Sequence, residues 1–163
     1  MNTVFLLTGG NLGNRFLNLK TAKEFIEQNC SAIRKASSIY KTAAWGFTEQ
    51  PDFYNQALEI ETALSAENLM QTLVAIEETT GRKRAIKMGP RIIDIDILLM
   101  NDLICDSEIV KIPHPRLAER RFALTPLAEI APDVIHPVLH TSIKDLLAVC
   151  TDDLPVYKIS TDN

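Results

Sequence analysis

Asp94 and Asp96 stand two apart in the run Ile92-Ile93-Asp94-Ile95-Asp96-Ile97-Leu98-Leu99. As a strand, this run sends Ile93, Ile95, Ile97 and Leu99 to one face and both acids to the other. A strand rises about 3.3 Å per residue, which puts the two carboxylates about 7 Å apart. Carboxylates inside a sheet are costly unless a cation meets them. The other reading is the solvated face of an antiparallel sheet, but Ile92 and Leu98 share the acids' face, so that face is not simply polar. A metal ion or an arginine cluster suits the pair. Immediately upstream, Arg82, Lys83, Arg84, Lys87 and Arg91 place five positive charges in ten residues, with no acid among them. A charge run is commonly a solvated face. This one leads into paired acids, and an anion with several phosphates, bridged to them by metal, would satisfy both groups.

Other residues suit a flat ligand. Phe53 and Asn55 share a face at the start of the alternating run 53–62. A ring and an amide there can stack on and hydrogen-bond a planar heterocycle. A structural Asx interaction at a strand end accounts for Asn55 equally well. Trp45, the only tryptophan, lies in the long connection 41–52, and loops of that length are often functional. It either packs the loop onto the core or walls a ligand. Gly9-Gly10-Asn11-Leu12-Gly13 has neither GxGxxG nor a Walker ending, so Gly9 and Gly10 are expected to serve a tight turn at positive φ.

The elements that must position these groups follow from periodicity and punctuation. A short apolar run predicts a strand over 3–8, and Asn14 is a plausible N-cap for a helix over 15–29. Strands follow at 32–40 and 55–62, and Ser65 opens a second helix for which Gly81 is a natural C′ residue. After the acid-bearing strand come short strands at 103–105 and 109–112 and a short helix at 117–121. Pro126 suits the first turn of a helix reaching residue 130. A last helix is expected at about 142–149, and residues 151–163 form a polar tail free to fray. The order βαββαβ over 3–99 predicts an α+β, ferredoxin-like domain. It would have an antiparallel sheet, both helices on one face, and a C-terminal mixed extension.

The chain has 163 residues, 46% hydrophobic and 23% charged, which is ordinary for one globular domain. We expect a single domain over 1–163 with its core in 3–149. The net charge of −4 argues against bulk affinity for nucleic acid or an anionic membrane. Cys30, Cys105 and Cys150 contain no CxxC pair and fit a reducing compartment. The N-terminal apolar run is too short for a signal or membrane segment, so the expected location is the cytoplasm.

The ordered motifs Gly9–Gly13, Gln50–Asn55, Gly81–Arg84, Gly89–Leu98, Pro113–Arg116 and Pro126–Ile130 resemble hydroxymethyl-dihydropterin pyrophosphokinase, a folate-pathway family. The resemblance runs from residue 3 to about residue 149. It implies transfer of the terminal pyrophosphoryl group of ATP to the hydroxymethyl oxygen of a reduced pterin, releasing AMP. It implies that Asp94 and Asp96 hold two Mg2+ ions. Arg82, Arg84, Lys87, Arg91, His114 and Arg120 would contact the triphosphate, and Glu77, Ile97 and Lys111 are further ATP-site candidates. Of these, Arg82 and Arg91 join Asp94 and Asp96 as catalytic candidates. Phe53 and Phe122 would sandwich the pterin, with Thr42, Ala43, Trp45 and Asn55 along its edge. The expected partners are these two small molecules, with no nucleic acid or membrane, for a chain acting as a monomer. Met88, Ala43 and Ala44 stand where some relatives carry tryptophan or proline. No essential general base is expected. His114 also reads as a turn histidine, and His136 and His140 as structural.

Two other functions compete. An RNA-recognition sheet would show aromatics on its central strands, whereas this chain presents Glu59, Asp94 and Asp96. A metal-dependent phosphohydrolase fits the acids and the basic run but wants further protein ligands for a two-metal centre.

Overall fold

The computed structural model describes residues 1–44, 49–81 and 92–159. Strand β1 (Asn2–Gly10) is followed by α1 (Arg15–Asn29), β2 (Ile33–Ala36), β3 (Ile39–Thr42), β4 (Phe53–Thr62) and α2 (Ala66–Thr79). Then come β5 (Asp94–Met100), β6 (Cys105–Asp106), β7 (Lys111–Ile112), α3 (Arg121–Ile130), α4 (Ile143–Ala148) and β8 (Val156–Ile159). A 3-10 turn at Leu117–Glu119 precedes α3. The main sheet runs β5-β1-β4-β3-β8, with β2 also on β4, and its pairings are antiparallel. The class is α+β, as the alternating strands imply.

Both early helices start where their N-caps predict, and the second stops just before Gly81. The Asn14 side chain accepts from the Leu17 amide at 3.0 Å, and the Ser65 hydroxyl from the Asn68 amide at 3.2 Å. Gly81 carries φ 94° just past α2, the left-handed region a glycine enters without Cβ strain. Leu19, Ala22 and Ile26 of α1 and Leu69, Leu73 and Ile76 of α2 are buried against Val4, Leu6, Leu58, Ile60, Ile95 and Ile97. That forms one core. On the other face, Phe5, Leu7, Leu98 and Leu99 pack with Leu124 and Leu127 of α3 and Ile143 and Leu146 of α4.

Several expectations need correction. Leu99 does not continue the isoleucine face. The β1–β5 register jumps from Leu6↔Ile97 to Phe5↔Leu99, and this irregularity puts Leu98 and Leu99 together in the second core. An extra residue in one strand shifts side chains to the opposite face. The strand expected over 32–40 is two strands bent at Ser37-Ser38. There the Ser37 hydroxyl accepts from the Ala57 amide at 2.9 Å, so a side chain stands in for a ladder carbonyl. Gly9 and Gly10 are strand residues; among the described residues the glycines at positive φ are Gly13 and Gly81. The strands expected at 103–105 and 109–112 reduce to the two-residue pair β6 and β7. Helix α3 begins at Arg121, so Pro126 lies inside it and not in its first turn. The tail is not frayed at Val156–Ile159, which pairs with Ile39–Thr42.

Candidate active site

Register alone gathers the site. Asp94 lies opposite Gly9, Gly9 opposite Asn55, and Asn55 opposite Tyr40. Residues directly opposite in an antiparallel ladder share a face. Asp94 and Asn55 therefore face the same way from strands separated by β1, about 10 Å apart at two strand spacings. Asp96 lies opposite Leu7, and Phe53 opposite Thr42. Over this end of the sheet the second core gives way to a cleft. It is lined by Leu7, Gly9, Thr42, Ala43, Phe53, Asn55, Asp94, Asp96, Arg120 and Phe122.

Both acids and five of the six pterin-site candidates thus line one cleft. Arg120 joins them, its guanidinium carbon 5.5 Å from the Phe122 ring centroid, a cation–π distance. Trp45, Arg82, Arg84, Lys87 and Arg91 lie outside the described residues.

Asn55 is 4% exposed, and its Nδ2 is a buried donor without a hydrogen-bond partner among the described residues. A buried amide donor left unmade costs about 1–3 kcal/mol, so a ligand acceptor in the cleft would relieve it. Gly9 explains how the side chain fits: a Cβ there would stand 2.2 Å from Asn55 Oδ1. Sequence reasoning missed Gly9 because a glycine after a strand looks like a turn, whereas here it admits a neighbour's side chain.

The glycine-rich turn has a second task. Asn11 Nδ2 donates to Gln50 Oε1 at 2.8 Å and to the Pro51 carbonyl at 2.9 Å. Arg15 donates to the Asp52 carbonyl at 2.8 Å and stacks 3.9 Å from the Tyr54 ring centroid. These contacts pin the approach to Phe53.

The remaining ATP-site candidates sit apart from the cleft. Glu77 is 3% exposed and accepts from the Ile95 amide at 2.7 Å. That amide lies between the two aspartates on β5, the terminal strand of the sheet. The Ile97 side chain belongs to the first core, and the whole residue is buried. Lys111 and His114 line a cavity of about 340 Å3 beside Ile104, Pro115, Ala118 and Val138. His114 lies within electrostatic reach of Asp94 and Arg120. Burial and Arg120, opposed by Asp94, push the imidazole down to about 4, so it is uncharged at neutral pH. Its Nδ1 accepts from the Arg116 amide at 3.1 Å, which leaves the ring proton on Nε2. His136 is structural as expected: its Nδ1 accepts from the Val138 and Leu139 amides.

Among the described residues no three His, Cys, Asp or Glu side chains form a metal cage. Two carboxylates facing an open cleft suit Mg2+, which keeps waters and takes phosphate oxygens to complete its octahedron. No helix of the described residues is long and apolar enough to cross a membrane.

Comparison with known proteins agrees with this geometry. Residues 5–132 match the family model described as "7,8-dihydro-6-hydroxymethylpterin-pyrophosphokinase (HPPK)". The chain is 41% identical over 145 residues to the 2-amino-4-hydroxy-6-hydroxymethyldihydropteridine pyrophosphokinase of Aquifex aeolicus, covering 89% of this chain and 90% of that protein. The Bacillus subtilis protein of the same name is 40% identical over 134 residues, covering 82% and 80%. The folic acid synthesis protein FOL1 of Dictyostelium discoideum is 40% identical, but the match spans only 21% of it. Among solved structures, Plasmodium falciparum HPPK-DHPS superposes with a TM-score of 0.73 at 18% identity, covering 90% of this chain and 44% of that one. At that identity the likeness shows the fold. The family match and the long alignments show more: the chain belongs to the 7,8-dihydro-6-hydroxymethylpterin-pyrophosphokinase family.

Proposed function

We propose that the chain transfers the terminal pyrophosphoryl group of ATP to the hydroxymethyl oxygen of 6-hydroxymethyl-7,8-dihydropterin, forming the pterin diphosphate and AMP in folate biosynthesis. The observation that carries this is the single cleft holding an acid pair at one end and two phenylalanines with an unsatisfied buried amide at the other. Such transfer needs positioning and charge neutralisation more than covalent help from the protein. Phe53 and Phe122 offer faces to the pterin ring, Asn55 Nδ2 donates to its edge, and Thr42 and Ala43 close the side. Asp94 and Asp96 would hold two Mg2+ ions, which when bound neutralise the polyphosphate and order its oxygens. Arg120 faces the same space from the opposite wall. Arg82, Arg84, Lys87 and Arg91 would supply further positive charge to the phosphates, with Arg82 and Arg91 acting on the transferring group. Lys111 and His114 serve the nucleotide from the adjoining cavity, His114 as a neutral donor. Glu77 holds the acid-bearing strand through the Ile95 amide. The chain works as a cytoplasmic monomer.

The test is to combine the protein with ATP, Mg2+ and the pterin and follow the nucleotide product. AMP that appears only with pterin present is expected. ADP, or turnover without pterin, overturns the assignment. Asp94→Asn or Asp96→Asn should cut turnover by about a thousandfold, roughly 4 kcal/mol of barrier, with an unchanged circular dichroism spectrum.

A further inference from the structure

Residues 150–159 reach both walls of the cleft. On one wall, β8 pairs with β3, placing Thr42 opposite Val156, and the Thr42 hydroxyl donates to the Pro155 carbonyl at 3.3 Å. On the other, Arg121 stands between the cleft residues Arg120 and Phe122 and is held by the same segment. Its amide donates to Asp152 Oδ2 at 3.0 Å, its Nε to the Asp152 carbonyl at 2.9 Å, and its Nη2 to the Cys150 carbonyl at 2.9 Å. Asp152 Oδ1 in turn accepts from the Leu154 amide at 3.1 Å, which fixes the carboxylate.

Arg121 is the first residue of α3, and the N-cap residue Arg120 makes no side-chain cap bond. The opening amides of a helix need acceptors, usually from a Ser, Thr, Asp or Asn just before it. Here the acceptor is a carboxylate from far downstream in the chain, whose charge also suits the positive end of the helix. The apolar contacts of α3 with the second core are non-directional and do not by themselves define how its first turn is presented to the cleft. Hydrogen bonds with fixed angles do.

We propose that Asp152 is a positioning residue for the pterin end of the cleft: it caps α3 from the C-terminal segment and so sets Phe122 opposite Thr42, which the same segment holds. This rests on the pterin reading above. β8 lies at the opposite end of the sheet from β5, which carries the acids, so pterin binding should lose more than nucleotide binding, which feels the change only through Arg120.

The experiment compares wild type, Asp152→Ala and Asp152→Asn in the full chain. Calorimetric affinities for Mg-ATP and for the pterin are measured, together with KM, kcat and ligand-free amide exchange. Losing the cap should weaken pterin binding and raise its KM about tenfold, with a smaller loss, about two- to threefold, in Mg-ATP affinity and kcat through Arg120. Exchange at residues 121–124 should quicken. Asp152→Asn keeps one acceptor and should recover most of the loss, leaving a deficit of roughly two- to threefold. Unchanged pterin affinity in a folded Asp152→Ala, equal losses for both ligands, or unaltered exchange overturns the proposal. If Asp152→Ala does not fold, the Asp152→Asn deficit and its selectivity decide. Wild type that fails to turn over the pterin overturns the functional reading instead, and the ligand-free exchange still judges the cap.

Discussion

At Gly9 the missing Cβ is what lets Asn55 lie across β1 toward the acid-bearing strand, since a methyl there would stand 2.2 Å from the amide oxygen. Gly9→Ala should therefore rotate Asn55 out of the cleft and take its hydrogen bond from the pterin. One such bond, worth about 1.4 kcal/mol, corresponds to about a tenfold loss of pterin affinity. Calorimetry should show that loss with Mg-ATP affinity unchanged; equal weakening of both would mean that the whole sheet had shifted. At this scale much was legible. Asp94 and Asp96 could be paired from a period of two, and Phe53 with Asn55 likewise, because strand alternation is a local property. The partnership of Gly9 with Asn55 was not, since it depends on which strand lies beside which.

Among the elements, α3 and the β2–β3 bend are tied by one side chain. Glu129, near the end of α3, accepts from the Ser38 amide at 2.7 Å, the Ser38 hydroxyl at 3.2 Å and the Tyr40 hydroxyl at 2.5 Å, with Lys158 Nζ at 3.8 Å. Burial by itself raises the Glu129 carboxyl, but the bonds from Tyr40 and Ser38 more than offset it and hold the group below its usual 4.5. Burial and this neighbouring carboxylate push the Tyr40 phenol well up. Because the folded value of Glu129 is the lower one, its contribution is full above about pH 4.5 and fades as pH falls through the folded value. Glu129→Gln should cost about 1–2 kcal/mol at pH 7, and that gap should narrow as pH falls below the usual 4.5 and through the lowered folded value. Urea unfolding at several pH values checks this; a gap constant with pH would assign the cost to shape and not to charge. The caps Asn14 and Ser65 were readable because a cap acts within three residues. The start of α3 was not, because its cap is Asp152.

Over the whole molecule, the sheet carries a core on each face, and only one of them borders the cleft. Leu6 and Leu124 are both fully buried, Leu6 in the core with α1 and α2 and Leu124 in the core with α3. Truncating either to alanine should cost about 2–5 kcal/mol. Only Leu124→Ala should also weaken pterin binding, by several-fold, because α3 carries Phe122. Urea unfolding paired with pterin titration separates the two effects. Equal pterin losses would show that the cleft follows global stability and not the seating of α3.

By itself the sequence determined the α+β class, the two capped helices, the apolar face of β5 and the acid pair, all written in spacings of two to four residues. It also carried the family, through motifs spread along the chain. Tertiary structure alone decided which motifs meet. Register set Asp94 beside Gly9 and Gly9 beside Asn55, and the irregularity after Ile97 turned Leu99 to the other face. It also decided that the polar tail closes the sheet against β3 and caps α3. The physical reason is range. Propensity and periodicity act between neighbours in sequence, whereas an edge strand, a close approach at glycine or a distant cap takes its partner from a segment that local pattern does not specify.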